Sequence, residues 1–289
     1  MASPTSRSAP RSILVTGGNR GIGLAAAQQL AAAGHAVCIT ARREADAQTA
    51  LDTLGDLPGA VSHVLLDLAS FAATRQCADT LIERGVHFDV VLHNAGVLIP
   101  PDERRLTDDG LEMTLQVNAV APLLLTTRLR AALSNPARLV WTGSSLHMPS
   151  SRGEAVDLRL DDVNLDANYH PQRAYKNSKL AQIWISREID KRHGAEGLHS
   201  DVVCPGFVPT TAAAHTRGLG RLALKYILPR MPFATSLSDA AKRLADACVV
   251  GLDEPGGRYF HGGVLSEPSG DARDSDKAER FFALTGDWI

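Results

Sequence analysis

A tyrosine and a lysine lie four residues apart in the stretch Tyr175-Lys176-Asn177-Ser178-Lys179. The surrounding pattern predicts a helix, and residues at this separation share one face of a helix. An ammonium beside a phenol favours the phenolate and lowers the pKa of the phenol from about 10, which suits proton transfer near neutral pH. Taken alone, the pair also fits an ordinary surface contact on a helix.

Two polar groups upstream are candidates to act with this pair. A predicted strand ends in Gly143-Ser144-Ser145, where a serine can hydrogen-bond a substrate oxygen; a helix cap or a turn is the alternative. Asn118 lies in a helical pattern four residues before Pro122, so its carbonyl lacks the usual helical partner. We expect this carbonyl to bind a water that links a lysine to solvent, although a simple structural kink fits the same pattern.

The stretch from residue 16 to 23, TGGNRGIG, has the composition of a phosphate-binding loop. Gly17 permits a tight turn, Gly21 lets backbone N–H groups approach a pyrophosphate, and Gly23 lets the next helix pack close to the sheet. The spacing is G-x-x-x-G-x-G, and its position after the first predicted strand favours a dinucleotide site. The other loop residues assigned to this site are Asn19, Arg20 and Ile22.

The residues after the second predicted strand indicate which dinucleotide binds. An NAD site usually has an acid there, about 20 residues beyond the glycine loop, whereas this strand ends in Ala41-Arg42-Arg43. Arg20 adds a third positive charge. Because arginine binds phosphate bidentately, we predict NADP(H) as the cofactor, with Arg42 at its 2′-phosphate. The alternative is that Arg42 and Arg43 only begin a solvated helix.

Two further strand ends fit a dinucleotide site. The third predicted strand ends beside Asp67 and Leu68, and the Asp67 carboxylate is placed to accept a hydrogen bond from an adenine amino group. The fourth ends in Asn94-Ala95-Gly96, whose small residues leave room for a ribose. Each group alone would be an ordinary strand end followed by a turn.

Short apolar runs alternate with helical patterns along the chain, which predicts an α/β, Rossmann-type doubly wound parallel β-sheet. No repeat or composition shift indicates a second domain, so we predict a disordered leader at 1–11 and a single domain at 12–289. The predicted strands are 12–16, 36–40, 62–66, 88–93, 137–142, 199–203 and a weaker one at 258–260. The predicted helices are 21–33, 70–84, 109–132, 173–193 and 237–250.

Composition excludes several other classes of protein. A net charge of −2 over 289 residues does not favour a nucleic-acid partner. The cysteines are widely spaced and form no CxxC pair, so neither a disulfide framework nor a metal site is expected. No apolar run is long enough to cross a membrane or serve as a signal peptide. We therefore expect a soluble, cytoplasmic protein without a membrane anchor.

The segment 205–236 breaks the α/β alternation and is a candidate substrate lid. Its apolar content, with that of the 146–172 loop, favours a bulky and partly apolar substrate. His147 and His170 border the site, either as substrate contacts or as exposed loop residues. The lid also carries a basic patch, which fits a solvated face equally well, at Arg217, Arg221, Lys225 and Arg230.

Together these motifs resemble the short-chain dehydrogenase/reductase family from about residue 12 to the C-terminus. The resemblance implies catalytic roles for Asn118, Ser144, Tyr175 and Lys179, with Ser145 as the alternative serine. In it, Tyr175 and Lys179 also contact the cofactor. It further implies that residues after the sixth predicted strand contact the cofactor: Pro205, Gly206, Val208 and Thr210. Of these, Thr210 is implied to contact the nicotinamide carboxamide.

Within the family, the stretches LTDDGLEMTLQVNAVAPLLLT and GRYFHGG are similar to the retinol dehydrogenase-like group. That similarity implies reversible hydride transfer between NADP(H) and a small-molecule ketone, aldehyde or secondary alcohol, with carbonyl reduction as the expected direction. Family members are commonly oligomers, so a homodimer is one expectation, although the long 146–172 loop is placed to block the usual helix pairing. Two alternatives are a redox-neutral cyclase or dehydratase and a non-catalytic NADP-binding sensor.

Overall fold

The computed structural model describes residues 9–149, 155–209, 230–231 and 234–289. In these ranges the strands are β1 (Ser12–Val15), β2 (Ala36–Ala41), β3 (Val61–Leu65), β4 (Phe88–His93), β5 (Leu133–Thr142), β6 (Leu198–Cys204), β7 (Tyr259–His261) and β8 (Val264–Ser266). They form one sheet in the order β3-β2-β1-β4-β5-β6-β7-β8. Neighbouring strands are parallel except β7 and β8, which pair antiparallel.

Helices cover both faces of this sheet. In chain order the described helices are α1 (Gly21–Ala32), α2 (Glu44–Leu54), α3 (Phe71–Glu83), α4 (Met113–Leu115), α5 (Ala121–Arg128), α6 (Pro171–His193), α7 (Leu237–Cys248) and α8 (Ser275–Thr285). A π-helical segment, Gln116–Val120, joins α4 to α5, and a 3₁₀ segment, Leu129–Ala132, follows α5.

The core lies in two layers, one on each side of the sheet. Leu14 of β1 packs in the layer that contains α3, α5, α6 and α8. Its neighbours Ile13 and Val15 point the other way, into the layer formed with α1 and α7. All three side chains are fully buried. Strands buried on both faces explain the nearly continuous apolar runs of the sequence, and the predicted doubly wound fold is confirmed.

The order of the strands places a crevice beside β1. This strand pairs with β2 on one side and with β4 on the other, so the chain winds away from it in both directions. Ligands of open α/β sheets bind at such a switch point, outside the carboxyl ends of the strands. The glycine loop leaves β1 and the Asn94–Gly96 turn leaves β4 at this point.

Several elements differ from the prediction. Helices α2 and α8 and strand β8 were not predicted, and the single helix predicted at 109–132 consists of four short segments. A π-helical stretch ends directly before Ala121-Pro122, because proline cannot donate the N–H that an α-helix needs at that position. β5 also begins at Leu133, four residues before its predicted start.

The predicted leader is wrong at its last residue. The backbone N–H of Arg11 donates to His35 Nδ1 at 3.0 Å, and its Nη1 donates to the carbonyls of Cys248 and Val250 at 2.8 and 2.7 Å. These bonds fix Arg11 beside β1, while residues 1–8 lie outside the described residues. Within the described ranges, no helix is both long enough and apolar enough to cross a lipid bilayer.

Candidate active site

The glycine loop is anchored to the turn after β4. Thr16 Oγ1 accepts hydrogen bonds from the backbone N–H groups of Asn94 and Ala95, each at 3.0 Å. Gly17 and Gly21 have φ angles of +64° and +58°, which side chains other than glycine rarely adopt. The two predicted loops therefore form one rigid unit at the carboxyl edge of the sheet.

Close packing explains the third glycine of the loop. A Cβ on Gly23 would lie 2.4 Å from Asn94 Nδ2 and 2.5 Å from the Gly17 carbonyl oxygen. A Cβ on Gly96 would lie 2.9 Å from Asn118 Oδ1. The sequence analysis attributed Gly23 to close helix packing, and the contacts with the Asn94 turn give the physical reason.

The charges around this loop fit a phosphate-bearing cofactor. Helix α1 begins after Arg20 with no side-chain cap and no acid in its first turn, so its N-terminus is open to an anion. Arg43 forms a bidentate ion pair with Asp46, with both distances 2.8 Å. Arg20 and Arg42 are exposed nearby, and their charges help lower the pKa of Asp46. Of the two adjacent arginines, Arg42 is therefore the better placed for a phosphate.

The structure brings Ser144, Tyr175 and Lys179 together at the ends of β5 and α6. The hydroxyl of Ser144 lies close enough to that of Tyr175 to act on its ionisation. Lys179 Nζ lies 5.5 Å from the centre of the Tyr175 ring and donates to the Thr142 carbonyl at 2.8 Å. The neighbouring Ser145 instead donates its backbone N–H to the Cys204 sulfur. This geometry favours Ser144 as the active-site serine.

Burial changes the ionisation of both α6 side chains. It raises the pKa of Tyr175 to about 12, against a smaller lowering effect from the hydrogen bond with Ser144. It lowers the pKa of Lys179 to about 8. The expectation that the lysine lowers the pKa of the tyrosine is therefore wrong for this structure, because desolvation of the buried phenol is the largest effect on its pKa.

Asn118 holds the loop after β4 against α6. It is fully buried in the π-helical segment. Its Oδ1 accepts from Val97 N at 2.7 Å, and its Nδ2 donates to the Val97 carbonyl at 3.1 Å and to Ser178 Oγ at 2.9 Å. The side chain thus joins two elements that border the site.

The backbone carbonyl of Asn118 has a partner that the sequence analysis missed. Gln182 Nε2 donates to it at 2.7 Å, and Gln182 Oε1 accepts from Lys179 Nζ at 3.1 Å. The Asn118 carbonyl, which was expected to bind a water, thus accepts a hydrogen bond from the Gln182 side chain. Gln182 follows Lys179 by three residues, so helical spacing could have indicated its contact with Lys179 but not its contact with Asn118.

The two histidines have different environments. His147 is fully buried, and its ring lies between the carbonyl of Ser144 (Nδ1, 2.6 Å) and the backbone N–H of Ser269 (Nε2, 3.2 Å). His147 is therefore not an exposed loop residue. His170 is exposed and caps α6 by accepting from Gln172 N at 3.2 Å.

The remaining predicted cofactor residues lie along the same edge of the sheet. Asp67 is half-buried, and its carboxylate accepts from Ala69 N at 3.0 Å. Gly206 has a φ of +95°, and a Cβ there would lie 2.2 Å from Thr235 Oγ1. Asn19 and Ile22 are half-buried in the glycine loop, while Leu68, Pro205 and Val208 are buried.

Part of the predicted site lies outside the described residues. This applies to Thr210 and to most of the predicted lid, including three of its basic residues, Arg217, Arg221 and Lys225. Arg230 is described and exposed.

Comparison with known proteins matches this arrangement to one family. The family model for short chain dehydrogenase matches residues 11–153. Retinol dehydrogenase 13 of Homo sapiens is 30% identical over 98% of this chain and 86% of its own length. This chain belongs to the short-chain dehydrogenase/reductase family. The predicted membership, including the likeness to retinol dehydrogenases, is confirmed.

Other members of the short-chain dehydrogenase/reductase family extend the comparison. The short-chain dehydrogenase/reductase prx1 of Penicillium roqueforti is 31% identical over 70% of this chain. The match spans only 58% of the length of that relative. Among solved structures, the Pseudomonas aeruginosa RhlG/NADP active-site complex has a TM-score of 0.70 and 26% identity, covering 90% of this chain and 99% of that chain.

Proposed function

We propose that this protein is an NADP(H)-dependent carbonyl reductase that acts reversibly on a ketone or aldehyde and the corresponding alcohol. The observation that carries the proposal is the placement of the Ser144 and Tyr175 hydroxyls together beside the Lys179 ammonium. It places a proton donor, a hydroxyl that can orient a substrate oxygen, and a positive charge in one group. This group lies at the same edge of the sheet as the glycine loop.

The chain's own residues account for proton transfer and orientation. Bound NADPH would supply the hydride that reduces the carbonyl carbon. Because burial raises the pKa of Tyr175 to about 12, its hydroxyl is protonated at neutral pH and can donate to the developing alkoxide. Ser144 holds the substrate oxygen, and the Lys179 ammonium stabilises the phenolate left on Tyr175. The ionisation state of Tyr175 thus supports reduction as the main direction.

Charge supports NADP(H) as the cofactor. Arg20 and Arg42 leave a positive region beside the open N-terminus of α1, while Arg43 is neutralised by Asp46. A guanidinium suits a 2′-phosphate better than an unmodified ribose. The RhlG/NADP complex, a relative by fold and sequence, is consistent with this choice.

Exposed apolar side chains near the reacting groups support a lipophilic substrate. Leu146 is 49% exposed two residues after Ser144, and Phe207 is 43% exposed directly after Gly206. Exposed apolar groups beside a binding crevice favour ligands with large apolar surfaces. The resemblance to a protein named retinol dehydrogenase agrees with a bulky, lipophilic alcohol or carbonyl compound.

A panel of carbonyl compounds with NADPH tests the proposal. Loss of the near-ultraviolet absorbance of NADPH together with formation of the alcohol is the expected result for at least one bulky ketone or aldehyde. Conversion of a substrate with no loss of NADPH would instead support redox-neutral chemistry. NADPH binding without turnover of any panel member would support a sensor, and either outcome would overturn the reductase.

A further inference from the structure

The side chain of Gln182 lies between two groups of the proposed active site. On one side its Oε1 accepts from Lys179 Nζ at 3.1 Å, and on the other its Nε2 donates to the Asn118 carbonyl at 2.7 Å. The residue is 1% exposed. We call this chain of contacts the Lys179–Gln182–Asn118 bridge.

Chemistry determines the orientation of the amide. An ammonium can only donate hydrogen bonds and a backbone carbonyl can only accept them, so Oε1 must face Lys179 and Nε2 must face Asn118. A reversed amide would place two donors together and two acceptors together. Gln182 therefore makes a hydrogen bond with each end of its amide. An apolar residue of similar shape could make neither.

The two ends of the bridge come from different elements. The Asn118 carbonyl is free to accept a side chain because Pro122, four residues on, has no N–H. Lys179 and Gln182 are one turn apart on α6. The bridge therefore ties the ammonium to the π-helical segment as well as to the Thr142 carbonyl at the end of β5.

We propose that Gln182 is a positioning residue, which holds the Lys179 ammonium in place beside Tyr175 by joining it to the Asn118 carbonyl. The inference rests on the proposed function. An amide group does not pass a proton along as a water molecule does, so the bridge orients Lys179 rather than carrying protons to it. Two anchors, Thr142 and Gln182, fix the ammonium where a phenolate would form.

Few ionisable groups face this ammonium in the described structure. Tyr175 lies on the same helix, with Lys179 Nζ 5.5 Å from its ring centre. Cys204, at the end of β6, is the ionisable group whose charge acts on Lys179. Asn118, Ser144 and Gln182 carry no charge, so a charge introduced at position 182 would act on Lys179 directly.

Two substitutions of Gln182 test the bridge. Gln182→Met keeps the length of the side chain but removes the acceptor, and Gln182→Glu adds a negative charge beside the ammonium. The Cε signal of Lys179 in protein labelled with [¹³C]lysine reports its protonation without any turnover. The sequence has six lysines, so Lys179→Arg assigns the signal. Gln76→Glu on the exposed face of α3 is the matched control.

We expect the two variants to shift Lys179 in opposite directions. Gln182→Met should lower its titration midpoint by about one pH unit, since one hydrogen bond to the charged form is lost. Gln182→Glu should raise it by about one to three units. With a substrate from the carbonyl panel, Gln182→Met should lower kcat about 10- to 100-fold with little change in KM, and Gln76→Glu should behave as wild type.

An unchanged Lys179 midpoint in both variants would overturn the inference, as would an unchanged kcat in Gln182→Met. If Gln182→Met does not fold, the direction of the shift in Gln182→Glu decides. The NMR titration needs no substrate, so it judges the bridge even if wild-type protein reduces no carbonyl compound. Failure of the proposed function is seen in the wild-type panel, and failure of the bridge is seen in the titration.

Discussion

Lys179 lies over the face of the Tyr175 ring, with its Nζ 5.5 Å from the ring centre. The ammonium donates at 2.8 Å to the Thr142 carbonyl and at 3.1 Å to Gln182 Oε1. The group that acts on the phenol hydroxyl is instead the hydroxyl of Ser144. The lysine therefore contacts the face of the tyrosine ring and the serine acts on its hydroxyl, which separates their expected contributions.

Tyr175→Phe removes the proposed proton donor and leaves the ring in place. We expect turnover with NADPH to fall by at least the roughly 10²- to 10⁴-fold that a positioned acid contributes. NADPH affinity should remain nearly unchanged, since the substitution removes one oxygen and no charge. Steady-state kinetics and fluorescence titration with NADPH measure the two effects. Full activity in this variant would exclude Tyr175 as the acid.

Ser144→Ala and Ser145→Ala form a matched pair. Because the Ser144 hydroxyl acts on that of Tyr175 whereas Ser145 bonds Cys204 through its backbone, the first variant should lose about 10²- to 10³-fold in kcat. The second should retain most of the wild-type rate. Comparable losses in both, or a larger loss in Ser145→Ala, would transfer the proposed role to Ser145.

The pH dependence of the reduction should follow Lys179. Its pKa is lowered to about 8 by burial, so the side chain is charged below that pH and neutral above it. Tyr175 keeps its proton up to about 12. We therefore expect kcat/KM for reduction to be constant at neutral pH and to fall as the pH rises through about 8. Lys179→Arg keeps the charge at all accessible pH values, so the kcat/KM of this variant should not fall as the pH rises through about 8.

Arg42 and Arg43 should differ in their effect on cofactor choice. Arg43 is already paired with Asp46, while Arg42 lies exposed directly after β2. Arg42→Asp should therefore weaken NADPH binding far more than NADH binding, by repelling the 2′-phosphate. Arg43→Asp, which breaks the pair with Asp46, should change the preference less. Equal ratios of the two dissociation constants in wild type and Arg42→Asp would contradict a phosphate contact at Arg42.

Some elements of the fold could be predicted because the pattern of apolar residues shows how a segment is buried. The strands were predicted well because burial on both faces requires continuous apolar runs. Helix α2 was missed because its buried side is formed mainly by alanines, Ala47 and Ala50, and by Leu54. Alanine is common on exposed and buried helix faces alike, so it gives a weak periodic signal.

The candidate site also contains residues that could be predicted from the sequence and properties that could not. Gly17, Tyr175 and Lys179 were found from spacing, since helix and turn geometry are local. The role of Gln182 depends on the Asn118 carbonyl, which is 64 residues away in the chain. The shift in the pKa of Tyr175 depends on burial by several elements. Neither property is encoded in the local pattern around the residue, so both required the folded structure.

His147 should be important for stability as well as for the position of Ser144. A backbone N–H can only donate, so His147 Nε2 accepts from Ser269 and Nδ1 donates to the Ser144 carbonyl. His147→Phe keeps a ring in the same space but leaves the Ser269 N–H unpaired, and the Ser144 carbonyl keeps only the backbone N–H of residue 147, at 3.4 Å. A buried unpaired group costs about 1–3 kcal/mol, so the variant should unfold at lower temperature and reduce substrate more slowly.

The pH dependence of unfolding shows whether the His147 imidazole stabilises the fold as a titratable, hydrogen-bonded group or only by filling space. Burial lowers the pKa of His147 below its ordinary value of 6.5, so the unfolded chain binds a proton that the folded protein resists. Stability should therefore fall as the pH drops below about 6.5, and His147→Phe should lose part of this dependence. His170→Phe alters an exposed helix cap and should retain it. Thermal unfolding from neutral to acidic pH measures both variants, and equal curves for the two would contradict the assigned hydrogen bonds.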